Sequence, residues 1–368
     1  MLYHILFPLH DVYSVFNVFR YITFRTAYAI LTALTISFIC GPGIIKKLMD
    51  NQVWEHIRED VPQSHQGKAG TPTMGGIMIL FALFIPTLLW ADLTNKYIWI
   101  AIFSTSSFGL IGFLDDYLKL KNSSAGSGFK RKNGLRGKEK FVIQVVIAVM
   151  VVLFLYFDRE FSMFLTKLGV PFFKNVKPEL DGLYIVFAIL VIVGTSNAVN
   201  LTDGLDGLAI GPIIIATTAY MIIAYVTGHF SFANYLNIQY IRGAGELAIF
   251  CGAAVGASLG FLWFNSYPAQ VFMGNVGSTA LGGMLGTLAV ITKHELILLI
   301  IGGIFVVEAL SVIIQVASFK LTGKRIFKMA PLHHHFEESG WEEPKVIVRF
   351  WIVAVILALL SLSTLKLR

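Results

Sequence analysis

Charge is what this chain has least of. Only 14% of its 368 residues are Asp, Glu, Lys or Arg, against roughly a quarter in soluble domains. Cysteine is nearly absent as well. Cys40 and Cys251 both lie in apolar runs, make no metal-ligand spacing and exclude a disulfide framework. Residues 1–20 are mixed and lack a small-residue cleavage site after a compact apolar core, so no removable leader is expected. No internal repeat and no separate soluble domain are visible, and only residues 122–138 are rich in Gly, Ser and Lys, as a flexible loop would be. What the chain has in abundance is apolar surface, with 56% hydrophobic residues and a mean hydropathy of +0.71. A disordered chain is excluded, a soluble globular enzyme is a poor reading, and a polytopic membrane protein is expected.

Ten apolar stretches of about 20 residues support this. They lie near 22–42, 74–92, 97–114, 141–157, 183–200, 207–226, 246–264, 278–292, 296–318 and 346–364. The expected fold is therefore all-α, a single transmembrane domain over 1–368 with about ten helices. An even number of crossings puts both termini on one side. The loops 43–73, 115–140, 201–206, 265–277 and 319–345 carry 17 Lys and Arg, and the opposite loops carry 7. The positive-inside rule places the first set in the cytoplasm and both termini in the periplasm. The net charge of +7 then reads as orientation within a lipid bilayer, and no nucleic-acid partner is expected.

The unusual polar groups fall in the inward loops. The third span ends in Asp115-Asp116, two adjacent carboxylates that repel each other and are costly to desolvate. A divalent cation or a basic group would offset both costs, although a solvated helix end explains a bare pair equally well. The segment from Asn197 to Gly207 packs two amides, two carboxylates and two glycines into one turn. Asn197, Asn200 and Asp203 share a face if the helix persists that far. An EF-hand is excluded because no closing Glu follows. The run from Asn265 to Ser278 ends in a glycine-flanked amide before another span, a backbone-rich turn suited to phosphate or to ordinary turn chemistry. Pro331-Leu332-His333-His334-His335 supplies three imidazoles that cannot all point one way. Metal ligation, phosphate contact and acid–base chemistry are all open to them, as is a solvated loop.

Together these motifs resemble the phospho-N-acetylmuramoyl-pentapeptide transferases across nearly the whole chain. The matching stretches are Thr71 to Gly76, Gly112 to Tyr117, Asn197 to Gly211, Phe261 to Gly277, Lys328 to His335, Arg349 to Ile352 and Leu365 to Arg368. The acidic pair and the Asn-Leu-Thr-Asp-Gly run are shared with the wider polyprenyl-phosphate sugar-1-phosphate transferases, whereas the histidine run resembles the muramoyl-pentapeptide branch. The resemblance implies transfer of phospho-MurNAc-pentapeptide from UDP-MurNAc-pentapeptide to undecaprenyl phosphate, giving lipid I and UMP for peptidoglycan. It implies a multi-pass protein of the bacterial inner membrane with a cytoplasmic site, Mg²⁺ as cofactor, and a second copy of the chain as a candidate partner.

The resemblance also implies roles. Asp115, Asp116, Asp203 and His333 are the candidate catalytic residues. Lys68, Thr73, Lys140, Asn200, Asp206, Asn265, Phe272, Gln315, His334 and His335 are the candidate substrate contacts, with Phe272 stacking on uracil. Asp115, Asp203 and Asn275 are the candidate metal positions. One departure stands out, because the family's Phe-Met-Gly-Asp carries its metal-binding aspartate where this chain has Asn275. An amide oxygen still ligates Mg²⁺ but brings no charge. A unit-charge pair at about 4 Å is worth roughly 4 kcal/mol at an effective dielectric near 20. Slower turnover is expected. Three other readings compete. A sibling transferase for HexNAc-1-phosphate is disfavoured by the histidine run. A transporter draws support from Glu308 inside the ninth span, but the polar motifs cluster at one face and no repeated halves appear. A catalytically silent binding protein rests on Asn275 alone.

Overall fold

The computed structural model describes residues 1–54, 70–124, 134–173, 176 and 178–366. Fifteen α-helices carry the described chain. They are α1 (Leu2–Leu6), α2 (Ile22–Asp50), α3 (Gly76–Trp90), α4 (Lys96–Ser124), α5 (Gly137–Tyr156), α6 (Arg159–Leu165), α7 (Leu183–Thr202), α8 (Ile210–Thr227), α9 (Phe230–Leu236), α10 (Leu247–Asn265), α11 (Gly274–Thr292), α12 (Glu295–Ile301), α13 (Gly303–Thr322), α14 (Leu332–Glu337) and α15 (Glu343–Thr364). Among the described residues β-structure is limited to two isolated bridges, Trp54 with Pro72 and Lys167 with Glu179. The all-α expectation holds, because a bilayer leaves no water to satisfy a free backbone and helices satisfy it internally.

Nine of the described helices are long and apolar enough to cross a membrane: α2, α4, α5, α7, α8, α10, α11, α13 and α15. Two expected spans come out differently. The second is α3, only 15 residues long and about 22 Å at 1.5 Å per residue, short of the roughly 30 Å hydrocarbon core. The ninth is not one helix. It breaks at Gly302–Gly303 into α12 and α13, where Gly303 receives the side chain of Leu357 from α15.

Helices α10 and α11 form the centre of the bundle. Every residue of α11 from Val276 to Thr292 is buried, and α10 is buried from Leu247 through Ser258. Small residues allow this. Gly252, Gly256 and Gly260, four apart on one face of α10, lie against Thr26, Ile30 and Ser37 of α2. Gly282 and Gly286 of α11 lie against Ser196 and Ile192 of α7, and Gly283 against Phe108 of α4. In lipid, association is driven by such close backbone packing, because hydrophobic burial gives no advantage over contact with acyl chains. Helix α13, by contrast, buries only Gly303, Ile304, Phe305, Glu308 and Ser311. Its outer face presents Leu310, Ile313 and Val316, as a lipid-facing helix does.

Candidate active site

The acidic pair is placed by α4. At Gly112 this helix runs directly against the first turn of α11, where an added Cβ would stand 2.2 Å from the Asn275 carbonyl oxygen. One turn later Asp115 and Asp116 reach the N-terminus of α11, both buried. The Val276 backbone N–H donates to Asp116 Oδ2 at 3.3 Å, and a helix N-terminus favours a carboxylate there. Leu135 N–H donates to Asp115 Oδ1 at 2.9 Å, which ties the start of α5 to the pair.

Two lysines and two amides complete the cluster. Lys119 Nζ lies 3.1 Å from Asp115 and 3.6 Å from Asp116. Lys140 Nζ lies 3.7 Å from Asp115 and donates to Asn200 Oδ1 at 3.4 Å. Asn275 Nδ2 donates to Asp115 Oδ2 at 2.9 Å and to Asp116 Oδ1 at 2.6 Å. Asn200 Nδ2 donates to Asn275 Oδ1 at 2.6 Å and to Ser278 Oγ at 2.8 Å. Thus Asp115, Asp116, Lys140, Asn200 and Asn275, carried by α4, α5, α7 and α11, meet at one point. Lys119 and Ser278 join them without having been singled out. The Lys119 signal was available, since a basic residue four positions after Asp115 shares its helix face. Asn197 points elsewhere, donating to Gln144 Oε1 at 2.8 Å.

A second layer joins the loops after α7 and α10. Asp206 accepts from Ala269 N–H at 3.0 Å, and its own N–H donates to Glu343 Oε1 at 3.1 Å. Asn265 accepts from Gly207 N–H at 3.0 Å and donates to Val271 O at 2.8 Å. Phe272 donates its N–H to Pro72 O and accepts from Gly75 N–H, so the 265–275 loop is pinned to the start of α3 beside buried Thr73. Asp203 follows the last residue of α7 as its C-cap. Gln315 accepts from Ile326 and Phe327 N–H and donates to Phe327 O. The amides of Asn265 and Gln315 are thus engaged with backbone. Lys68 lies outside the described residues.

The three histidines diverge. His333 is buried, with Nδ1 3.2 Å from Glu308 and Nε2 packed on Gly204, where a Cβ would come within 2.4 Å. His334 Nδ1 stands 2.8 Å from Glu337. His335 Nδ1 accepts from Lys328 N–H at 3.2 Å, and its ring meets Phe327 edge-on. Glu308, the group that supported a transporter, accepts from the Leu332 and His333 N–H groups at 2.8 and 3.2 Å. It caps the short α14 and holds the histidine run against the 203–207 turn.

Among the described residues no three His, Cys, Asp or Glu are grouped to hold a metal. The donor chemistry agrees. Asn275 turns its N–H₂ group toward both carboxylates, presenting hydrogens where a ligand to a cation would present an oxygen lone pair. As arranged, these residues do not fit Mg²⁺.

Comparison with known proteins gives consistent matches. A profile described as glycosyl transferase family 4 covers residues 98–293. The phospho-N-acetylmuramoyl-pentapeptide-transferase signature 1 covers residues 68–80. Full-length relatives named phospho-N-acetylmuramoyl-pentapeptide-transferase include those of Desulfatibacillum aliphaticivorans, 60% identical over 370 residues, Desulfosudis oleivorans, 56% identical over 370 residues, and Pelobacter propionicus, 57% identical over 368 residues. In each case 100% of this chain and 100% of the relative are covered.

Proposed function

The chain belongs to the phospho-N-acetylmuramoyl-pentapeptide-transferase family, and we propose that it moves phospho-MurNAc-pentapeptide from UDP-MurNAc-pentapeptide to undecaprenyl phosphate, forming lipid I and releasing UMP. The observation that carries the reading is the meeting of Asp115, Asp116, Lys119 and Lys140 at the N-terminus of α11. The attacking lipid phosphate and the nucleotide pyrophosphate are both anions. Bringing them together requires positive charge and alignment more than covalent help. Lys119 and Lys140 supply the charge, and α11 adds the positive end of its dipole. Asp115 and Asp116 are the groups placed to accept a proton from the lipid phosphate. The new bond joins a lipid-phosphate oxygen to the sugar-side phosphorus. The bond that breaks leaves the bridging oxygen on UMP.

Around this centre Asn200, Asp203, Asp206, Asn265, Phe272, Gln315 and the three histidines bind the nucleotide and sugar, several of them by holding the loops that do so. Mg²⁺ is the cofactor expected of the family, but the donors as arranged do not fit it and no step is routed through it. The protein is membrane-embedded. The excess of Lys and Arg in the loops that carry the site supports a cytoplasm-facing site in the inner membrane, with periplasmic termini. The apolar outer faces of α5, α13 and α15 suit lipid or a second copy of the chain. The test is UMP release by the reconstituted protein, with undecaprenyl phosphate as acceptor and UDP-MurNAc-pentapeptide or UDP-GlcNAc as donor. Release with the first donor and not the second is expected. The reverse preference would move the chain to the sibling transferases.

A further inference from the structure

We infer that the Asn275 carboxamide takes the place of a divalent cation in this chain, so that the acid pair is held together by an internal amide clasp and has little affinity for Mg²⁺. The inference rests on the family reading above but concerns only this chain's own residues.

Two adjacent buried carboxylates need positive charge or N–H donors between them. Here one amide nitrogen spans both, donating at 2.9 Å to Asp115 and 2.6 Å to Asp116. Its orientation is fixed from behind, because Asn275 Oδ1 accepts from Asn200 Nδ2 at 2.6 Å, and the same Asn200 nitrogen donates to Ser278. Turning Asn275 over would set its oxygen against two carboxylate oxygens and its nitrogen against the Asn200 nitrogen. Both contacts would be repulsive unless Asn200 turned as well and gave up Ser278. Charge leads to the same conclusion. Two carboxylates already face two ammonium groups, Lys119 and Lys140, within 4.0 Å. A divalent ion would enter a neutral site, displace an N–H₂ and approach two lysines. An aspartate at 275 reverses the first two terms while both lysines remain. It adds a third negative charge, removes the donor, and leaves three carboxylates that a cation would relieve.

The test is thermal unfolding of the purified full-length protein in detergent, in EDTA and in a MgCl₂ series, with Mn²⁺ binding followed by electron paramagnetic resonance. The native chain is expected to unfold at the same temperature with or without Mg²⁺. Asn275→Asp is expected to unfold earlier in EDTA, to recover with MgCl₂, and to bind Mn²⁺ roughly tenfold or more tightly than the native chain, because affinity follows ligand charge count. Asn275→Ala, which removes the clasp without adding charge, should unfold earlier in both conditions. A saturable Mg²⁺ shift in the native chain as large as that of Asn275→Asp would overturn the inference, and so would an Asn275→Asp variant indifferent to metal. UMP binding, measured alongside, separates the two proposals. A native chain that fails to bind UMP counts against the transferase reading and leaves the metal result standing.

Discussion

Helix α11 has a buried ionic cluster at each end, and the two are built on different plans. At its C-terminus, Lys293 and Glu295 are paired at 3.0 Å, both almost fully buried. Lys293 Nζ also donates to Leu165 O at 2.8 Å and lies 3.7 Å over the Tyr184 ring, and Tyr184 donates its hydroxyl to Glu295. Burial lowers the Lys293 pKa, while the adjacent Glu295 works against that shift. One cation meets one anion in a dry site, and an ammonium at a helix C-terminus agrees with the dipole. At the N-terminus, Asp115 and Asp116 meet two lysines and the Asn275 amide directly, and Lys119 remains 43% exposed. The closed cluster is a rivet. The open one has more partners than it needs and one side toward solvent, so its contacts can be exchanged for a ligand's. Burial of charge alone does not mark a site. Surplus and access do.

Variants at the two ends should therefore fail in different ways. Asp115→Asn and Asp116→Asn should lower UMP release by about 100- to 10,000-fold, the range for loss of a positioned acid–base group, with near-native unfolding temperature. Full activity in either would return the pair to a structural role. Lys293→Met should do the opposite. It leaves Glu295 buried without its partner, which costs about 3–5 kcal/mol. Chemical denaturation should show that loss, and the fraction that remains folded should turn over normally. Asn275→Asp should sharpen the open end, raising Mg²⁺-dependent UMP release by about 30- to 1,000-fold, equivalent to roughly 2–4 kcal/mol of transition-state stabilisation. The smallest effect is expected at Arg25, whose guanidinium holds Glu246 with two bonds of 2.8 and 2.6 Å. Arg25→Lys keeps the charge but loses the fork, for about 1–2 kcal/mol of stability and no change in rate.

The open end was the more legible of the two in sequence. Carboxylates and amides at the ends of apolar runs are conspicuous, and Asp115, Asn200 and Asn275 each stand at such an end, with their roles implied by the family resemblance. Glu295 stands two residues from Lys293 in the sequence, but nothing around Glu246 says that Arg25 lies opposite, or around Glu295 that Tyr184 does, because those pairings depend on helix packing. The break at Gly302–Gly303 was also hidden. The flanking residues are all apolar, so a hydropathy window reads straight through it. Glu308 shows the limit of reading a buried acid as a conduit. Its oxygens serve the first two N–H groups of α14, and only the folded chain brings residues 24 and 25 positions apart into that contact. Asn265 and Gln315 have the composition of ligand contacts, and the structure engages them with backbone, a use that residue type alone cannot separate from recognition.

Because α11 is buried from Val276 to Thr292 and touches both clusters, it behaves as a ruler with a fixed number of divisions. Its 19 residues span about 28 Å, and each residue turns the helix by about 100°. Adding or removing a single residue anywhere within it would leave one end seated and swing the other round by more than a quarter turn. Either Asn275 would leave the acid pair, or Lys293 and Glu295 would together leave Leu165 and Tyr184. Chain length can drift in the surface loops of this protein at little cost, but within this helix the count itself is under constraint, independently of which small residues fill it.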